Sequence, residues 1–211
     1  MKLQTTKGLG LLCLLLLSLS ACNSFNLFDR QPQWELLRVP EAGTVHDIAG
    51  DIEETLVVGG LDKIFLTEDQ GESWQIVMED VTTRRFEMRG DSLYVFSLGD
   101  GTFYSLDMGQ TWTESNEALI DEFRFEVSLS NGDRYRWVAD VTFPKEPDLI
   151  ERTTDGTNWE NVFPFMRYVY SLYADDQDRV YVGTSGWDWN EEKGGFVVVP
   201  GRSDGLVYYV K

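Results

Sequence analysis

The sequence contains little cysteine and histidine. Two cysteines and one histidine, His46, occur in 211 residues. Zinc sites and Ser-His-Asp triads draw on these residue types, so the sequence argues against both kinds of chemistry. Cys13 and Cys22 both lie near the N-terminus. The rest of the chain has no disulfide, and we expect packing alone to stabilise it.

Positive charge is also scarce. The chain has 18 basic against 36 acidic residues, a formal net charge of −18. Nucleic-acid-binding proteins rely on basic patches, so a nucleic-acid partner is not expected. Electrostatic attachment to anionic lipid is disfavoured for the same reason. The excess of acid would suit a salty medium, although solubility alone explains it as well.

The N-terminus has the features of a bacterial lipoprotein signal. Lys2 and Lys7 precede an apolar run over residues 8–19, which is too short to span a membrane permanently. The run ends in Leu19-Ser20-Ala21-Cys22, which resembles the lipobox of bacterial lipoproteins. The resemblance implies cleavage before Cys22 and stable anchoring through acyl chains on that residue. The alternative is an ordinary secretory signal with an incidental cysteine.

The chain therefore divides into three predicted parts: a signal peptide (1–21), a lipidated tether (22–33) and a folded domain (34–211). Removing the signal takes away two lysines and no acid, so the net charge becomes −20. Asn23 follows the anchor. Under the enteric sorting rule it favours the outer membrane over the inner. The expected address is the bacterial cell envelope.

A short pattern recurs and predicts tight hairpin turns. It stands intact at 67–74 and 105–112, shortened at 153–159 and decayed at 203–205. Asp accepts hydrogen bonds from turn N–H groups, Gly supplies a positive φ, and the following Trp buries apolar area. We interpret all these residues as structural. The pattern residues are Thr67, Asp69, Gly71 and Trp74; Ser105, Asp107, Gly109 and Trp112; Thr153, Asp155, Gly156 and Trp159; and Ser203, Asp204 and Gly205.

A second pattern, a turn-like pair of residues that ends in Asp, recurs in step with the first. Turn-like pairs ending in Asp51, Asp91, Asp133 and Asp178 each precede a strand-like run, and these aspartates are 40, 42 and 45 residues apart. Two marks at such a period predict the blades of an all-β propeller with four strands per blade. The length allows four blades, or five counting the edges. Residues 34–39 are predicted to be a fourth strand that joins another blade. A partial array could also complete itself by pairing with another chain.

The turns resemble the Asp-box (BNR) repeats of sialidases, sortilin-type receptors and photosystem II assembly-factor propellers. This resemblance implies a propeller whose boxes lie on the outer rim, away from any active site. Sialidases also need an arginine triad that begins in Arg-Ile-Pro, and no Arg-Ile-Pro occurs here. We therefore predict a protein that is not an enzyme and has no cofactor or metal.

Three other features of the sequence are candidate sites. The segment 183–195 carries Trp187, Asp188 and Trp189 on a predicted loop, which suits a stacking platform for a sugar or a partner, or a cap on the core. Residues 175–178 could hold Ca²⁺, but their place favours a plain turn. His46 could be a general base, but its place favours a strand position.

These features favour a non-catalytic, lipid-anchored propeller that binds an envelope protein as an assembly or scaffold module. The alternative is a cell-surface carbohydrate-binding module that uses Trp187 and Trp189. A glycoside hydrolase has the least support, because the sialidase motifs are missing. The predicted partners are the membrane, through Cys22, and an envelope protein or glycan.

Overall fold

The computed structural model describes residues 32–99, 101–118, 125–139, 147–190, 192–193, 195–197 and 204–210. The predicted signal peptide, Cys22 and most of the tether lie outside these residues. Within the described part of the chain every regular element is a β-strand. No helix there is long and apolar enough to cross a membrane.

The strands form four antiparallel sheets of four strands each, which are the blades of a β-propeller. In each blade the first strand lies nearest the centre of the propeller and the fourth lies at the outer edge. Blade 1 consists of β2 (Asp47–Gly50), β3 (Leu56–Gly59), β4 (Lys63–Thr67) and β5 (Gln75–Glu79). Blade 2 consists of β6 (Thr83–Arg89), β7 (Ser92–Ser97), β8 (Thr102–Ser105) and β9 (Thr113–Ser115). Blade 3 consists of β10 (Glu126–Ser128), β11 (Arg134–Val138), β12 (Leu149–Thr153) and β13 (Glu160–Asn161).

Blade 4 is assembled from both ends of the described chain. It consists of β14 (Val169–Ala174), β15 (Val180–Thr184), β18 (Gly205–Val210) and β1 (Glu35–Val39). β1 pairs antiparallel with β18 from Glu35↔Tyr209 to Val39↔Gly205. This confirms the prediction that residues 34–39 supply a fourth strand to another blade.

The predicted loop over 183–195 contains a hairpin. β16 (Asp188–Asn190) pairs with β17 (Gly195–Val197), with Trp189 opposite Phe196. The prediction of a loop was therefore wrong for Asp188 and Trp189. Aromatic and branched residues on both sides of a short polar turn favour strand pairing, which accounts for the difference.

Antiparallel connectivity gives the propeller two ends. The turns from first to second strand and from third to fourth strand lie at one end, which we call the turn end. The connections from second to third strand and from blade to blade lie at the opposite end, which we call the connection end. The β16–β17 hairpin belongs to the connection end, because it joins β15 to β18.

Three apolar clusters join the blades. One lies between blades 4 and 1 and includes Val58 and Tyr181. A second joins blades 1 and 2 through residues such as Val57 and Phe86. The third joins blades 3 and 4 and includes Ile150. Among the described residues no such cluster joins blade 2 to blade 3, so the contacts between the described blades follow an arc in the order 2-1-4-3.

The burial of the second strand of each blade agrees with this arrangement. β3 in blade 1 and β15 in blade 4 are buried at every position. β7 and β11 instead alternate between buried and more exposed positions over most of their length. Alternation marks a sheet with one packed face and one face toward solvent. Blades 2 and 3 therefore each have one face that no neighbouring blade of the described chain covers.

The decayed fourth copy of the turn pattern, at 203–205, does not lie between the third and fourth strands of its blade, as the repeat predicts. Ser203 lies outside the described residues. Asp204 precedes β18, and Gly205 is the first residue of that strand. β18 is the third strand of blade 4, whereas the other copies follow a third strand. Because β1 comes from the other end of the chain, blade 4 needs no turn between its third and fourth strands.

Candidate functional site

The three turns at 67–74, 105–112 and 153–159 share one hydrogen-bond pattern. In the second, the Ser105 hydroxyl donates to Asp107 Oδ1 at 2.6 Å and accepts from the Gly109 N–H at 2.7 Å. The Thr111 N–H and hydroxyl donate to the two Asp107 oxygens at 2.9 and 2.6 Å. The first and third turns repeat these contacts around Asp69 and Asp155.

The turn carboxylates are therefore held as anions by their own loops. Hydrogen bonds from Ser105 and Thr111 lower the pKa of Asp107 to about 2. The Ser73 hydroxyl and N–H lower the pKa of Asp69, and donors led by the Asn158 N–H lower that of Asp155. A carboxylate saturated in this way is a poor general acid or base at neutral pH, so the geometry supports a structural role.

The tryptophans of these turns differ in their surroundings. Trp74 packs against the cluster between blades 4 and 1. Trp112 packs against the cluster between blades 1 and 2 and stacks on Phe86 at 6.2 Å. Trp159 instead lies under the guanidinium of Arg136, 4.1 Å from the ring centroid. The first two indoles face the preceding blade, and the third occupies the uncovered face of blade 3.

The acidic stretch 175–178 forms the turn between β14 and β15. The Asp175 carboxylate is buried and accepts from the Arg179 N–H, from Arg179 Nε at 2.7 Å and from the Tyr181 hydroxyl at 2.8 Å. Arg179 is 3% exposed and also pairs with Asp51 and Glu53 of blade 1. Burial raises the pKa of Tyr181, which keeps it a neutral donor. Arg179 supplies the positive charge that balances this carboxylate.

A cleft of about 270 Å³ lies beside this network at the turn end. Its lining includes Asp51, Glu54 and Asp175 together with Met88 and Tyr173. No group of three or more potential metal-ligating side chains occurs in the described part of the chain.

His46 lies just before β2, near the connection end. Its ring centroid is 5.6 Å from that of Tyr170, and its backbone N–H donates to the Gly59 carbonyl at 2.8 Å. Burial lowers the pKa of its imidazole, so the ring is neutral at physiological pH. This environment is that of a packed side chain.

Four of the arginines that could grip an anionic substrate are paired with carboxylates. Arg136 binds Glu151 at 2.5 Å and Arg152 binds Asp133 at 2.5 Å. Arg89 binds Glu87 and Glu117, and Arg167 binds Asp188. Arg124 lies outside the described residues. These four guanidiniums are neutralised in place, which disfavours an anion grip built from them.

Hydrogen bonds from Arg167 hold the candidate binding segment 187–189 against blade 4. Arg167 Nη1 donates to the Trp187 carbonyl and to Asp188 Oδ1, both at 2.5 Å, and its Nε donates to the Tyr208 hydroxyl at 3.3 Å. The Trp187 side chain is 39% exposed. Trp189 lies in β16, and its side chain is outside the described set. The segment thus presents at least one exposed indole on a pinned backbone.

Trp187 is accompanied by other exposed apolar side chains at the connection end. Leu61 lies between β3 and β4 and is 57% exposed, and Leu98 lies between β7 and β8 and is 50% exposed. Met166, on the connection from blade 3 to blade 4, is 45% exposed. We call Leu61, Leu98, Met166 and Trp187 the apolar rim. Three of the four blades therefore place an exposed large apolar residue in the same kind of connection.

The apolar rim was not predicted from the sequence, apart from Trp187. Leu61 stands in Gly59-Gly60-Leu61-Asp62 and Leu98 in Ser97-Leu98-Gly99-Asp100. A leucine beside glycine and aspartate in a short turn has no core to enter. That local contradiction is the signal that could have identified these residues.

The similarities to known proteins are structural and extend only to the fold. The sequence matches no protein-family profile and no curated protein. Among solved structures it is similar to YCF48 bound to a D1 peptide, at 18% identity and a TM-score of 0.35, over 77% of this chain and 56% of that one. It is also similar to YCF48 from Cyanidioschyzon merolae, at 15% identity and a TM-score of 0.36, over 80% of this chain and 61% of that one. A third is virginiamycin B lyase from Staphylococcus aureus, at 12% identity and a TM-score of 0.31, over 81% of this chain and 62% of that one. The chain thus spans less than two thirds of each of these structures.

Proposed function

We propose that this protein is a non-catalytic binding module of the bacterial cell envelope that holds a protein partner against its connection end. The apolar rim carries this proposal. Contiguous exposed apolar area marks protein interaction sites, and we infer that the four rim side chains act together as one such area because their connections all lie at one end. Leu61, Leu98, Met166 and Trp187 lie on separate connections of one end of the propeller.

The rim combines several chemistries that suit a protein partner. Leucine and methionine supply adaptable apolar contact, and Trp187 supplies a large ring of the type found at interface hot spots. Arg167 and Asp188 pin the backbone beneath Trp187, so little order has to be gained on binding. The surrounding chain is strongly acidic, which favours a partner whose contact surface is neutral or basic.

The lipobox supplies the proposed cellular address. Acyl chains on Cys22 would hold the folded domain within a short tether of the bilayer. Asn23 favours the outer membrane. A partner would then be an envelope protein that meets the propeller at the membrane surface, as an assembly or scaffold contact requires.

The decisive experiment compares two surfaces of one protein. Membranes that contain the full chain are cross-linked, and its partners are isolated and quantified. We expect Leu61→Ser combined with Leu98→Ser and Trp187→Ala to reduce partner recovery at least about tenfold, because apolar hot spots are worth about 2 kcal/mol or more each. Leu106→Ser is the matched control, since Leu106 is 72% exposed on a turn at the opposite end.

Two results would argue against this assignment. Equal recovery by the rim variant and by Leu106→Ser would mean that the rim is not the binding surface. Partner recovery that persists in Cys22→Ser at the wild-type level, with the protein still in the membrane fraction, would remove the acyl anchor from the proposal. All three variants are first checked for unchanged thermal unfolding.

Carbohydrate binding is the second candidate, favoured by the exposed indole of Trp187 beside the Arg167–Asp188 pair. Aromatic rings stack on sugar faces, and adjacent charged groups orient hydroxyls. A glycan-binding measurement with Trp187→Ala plus Trp189→Ala separates the two functions. Glycan binding that the double variant abolishes, without loss of a protein partner, would favour the carbohydrate module.

A further inference from the structure

The two ends of the blade arc have distinct and complementary surfaces. On blade 2 the uncovered face carries Tyr94, Phe96 and Tyr104, all half-buried, with the Tyr94 and Tyr104 ring centroids 5.8 Å apart. We call this the tyrosine face. On blade 3 the uncovered face carries Arg134, Arg136, Glu151 and Trp159. We call this the arginine face.

The tyrosine face has a buried counterpart elsewhere in the molecule. In blade 4, Tyr181 and Tyr209 are directly opposed on neighbouring strands, with ring centroids 5.7 Å apart. They are 0% and 7% exposed, because that face packs against blade 1. Tyr94 and Tyr104 form the same kind of opposed pair on the corresponding face of blade 2. Blade 2 therefore presents a surface of the type that elsewhere in this chain is covered by the next blade.

The arginine face also has buried counterparts. Each third strand of blades 1 to 3 ends at the hydroxyl residue of its turn, which aligns the strands of the three blades. This alignment places the charged side chains of blade 3 on positions that are apolar in the other two. Arg134, Arg136 and Glu151 thus correspond to Leu56, Val58 and Phe65 in blade 1 and to Leu93, Val95 and Phe103 in blade 2.

The glycines of the three turns show which neighbour each turn meets. A Cβ added to Gly71 would touch Leu37 of blade 4, and one added to Gly109 would touch Val57 of blade 1. A Cβ added to Gly156 would meet only Arg134 of its own blade. The turns of blades 1 and 2 therefore pack on a preceding blade. Among the described residues, the turn of blade 3 meets no such neighbour.

We propose that a second copy of this chain covers both faces, with the tyrosine face of each copy packed on the arginine face of the other. Blade-to-blade packing in this sense already occurs three times within the chain, between blades 3 and 4, 4 and 1, and 1 and 2. A second copy carries both of the surfaces that are needed. Two four-bladed arcs joined twice by a two-fold axis form a closed ring of eight blades, a size that propellers reach.

The chemistry of the two faces fits this contact. Tyr, Trp and Arg are the residue types enriched at interface hot spots, and both faces consist largely of them. Guanidinium groups pack favourably on aromatic rings, as Arg136 already does on Trp159 at 4.1 Å and Arg89 on Tyr94 at 5.2 Å. Glu87 lies on the tyrosine face opposite Tyr94, and its ion pair with Arg89 places two charged groups beside the tyrosines.

Cysteine cross-linking in membranes tests the pairing directly. One copy carries Tyr104→Cys and a first tag, and a co-expressed copy carries Arg136→Cys and a second tag. We expect an oxidised product of about twice the mass of the monomer seen in the same membranes, containing both tags. The control replaces Tyr104→Cys by Ile76→Cys, because Ile76 is 45% exposed on the outer strand of blade 1 and should give no such product.

The same cysteines placed in one chain distinguish a second copy from closure of the ring within one molecule. With Tyr104→Cys and Arg136→Cys together, we expect cross-linked dimers. A cross-linked monomer would show that blade 2 packs on blade 3 of its own chain and would overturn the proposal. Absence of any product in either design, with both cysteines reactive toward a small maleimide, would overturn it as well.

A measurement without cross-links completes the test. The detergent-solubilised wild type should have the mass of a dimer by light scattering. Tyr94→Lys with Tyr104→Lys should shift it to a monomer, whereas Ile76→Lys should leave it dimeric. The thermal unfolding of both variants is compared first, so that loss of the dimer is not mistaken for loss of the fold. A wild-type monomer, or a lysine variant that stays folded and dimeric, would contradict the pairing.

Discussion

At the scale of single residues, the hydroxyl group of each turn is as important as its aspartate. Ser105 is 1% exposed, donates to Asp107 and accepts from the N–H groups of Asp107 and Gly109. We predict that Ser105→Ala destabilises the protein by about 1–3 kcal/mol, because a buried N–H loses its acceptor. Chemical denaturation at neutral pH measures this. Thr154→Ala, at an exposed position of another turn, should change stability by less than about 0.5 kcal/mol.

The hydrogen bond from Ser105 to Asp107 also leads to a prediction about the pH dependence of stability. The pKa of Asp107 in the folded state is lowered to about 2, below its ordinary value. Its ionised form therefore stabilises the fold fully above the ordinary pKa, and this contribution is lost as the pH falls toward about 2. Removing the Ser105 hydroxyl should raise the pKa of Asp107 and weaken the acid dependence. An unchanged acid-unfolding profile in Ser105→Ala would mean that this hydrogen bond does not set the pKa.

At the scale of elements, β1 is the strand that ties the start of the folded domain to its end. Leu37 of β1 packs against the cluster between blades 4 and 1, whereas Leu36 points away and is 43% exposed. We predict that Leu37→Ala costs about 2 kcal/mol and Leu36→Ala less than about 0.5 kcal/mol. Urea unfolding of the two variants measures the difference. Equal effects would mean that β1 is not packed on blade 1 in this register.

The elements also show how far the sequence could predict the fold. The turn pattern and the Asp marks repeat at one period, so the strands of the blades, their turns and the role of β1 followed from local chemistry, whereas the β16–β17 hairpin did not. Trp159 did not, although it belongs to the same pattern as Trp74 and Trp112. Whether an indole is buried depends on the blade beside it, and a repeat gives no information about which blade is last in the arc. For the same reason the arginine and tyrosine faces could not be predicted from the sequence.

The candidate site was less predictable than the fold for a related reason. The sequence pointed to Trp187 because two tryptophans in a polar insert are conspicuous. Leu61 and Leu98 each stand beside glycine and aspartate in a short turn, which marks each as exposed but does not show that the two turns lie at one end of the propeller. The association of these residues is set by topology, because each comes from a different blade. A pattern within one repeat therefore predicts a turn, and a surface built across repeats requires the structure.

At the scale of the whole molecule, the excess of negative charge is a force that opposes compactness. The full sequence has 36 acidic against 18 basic residues, and several of the arginines are already paired in ion pairs with short contacts. Charges that remain unpaired repel one another over the Debye length, which falls from about 30 Å at 0.01 M salt to about 8 Å at 0.15 M. We predict that the melting temperature rises steeply over this range of NaCl and then levels off.

Thermal unfolding at matched ionic strengths of NaCl and KCl should give the same curve, because screening depends on ionic strength. A continued rise into molar salt would instead indicate adaptation to a salty medium, and a flat response would mean that the acidic side chains are too far apart to affect folding.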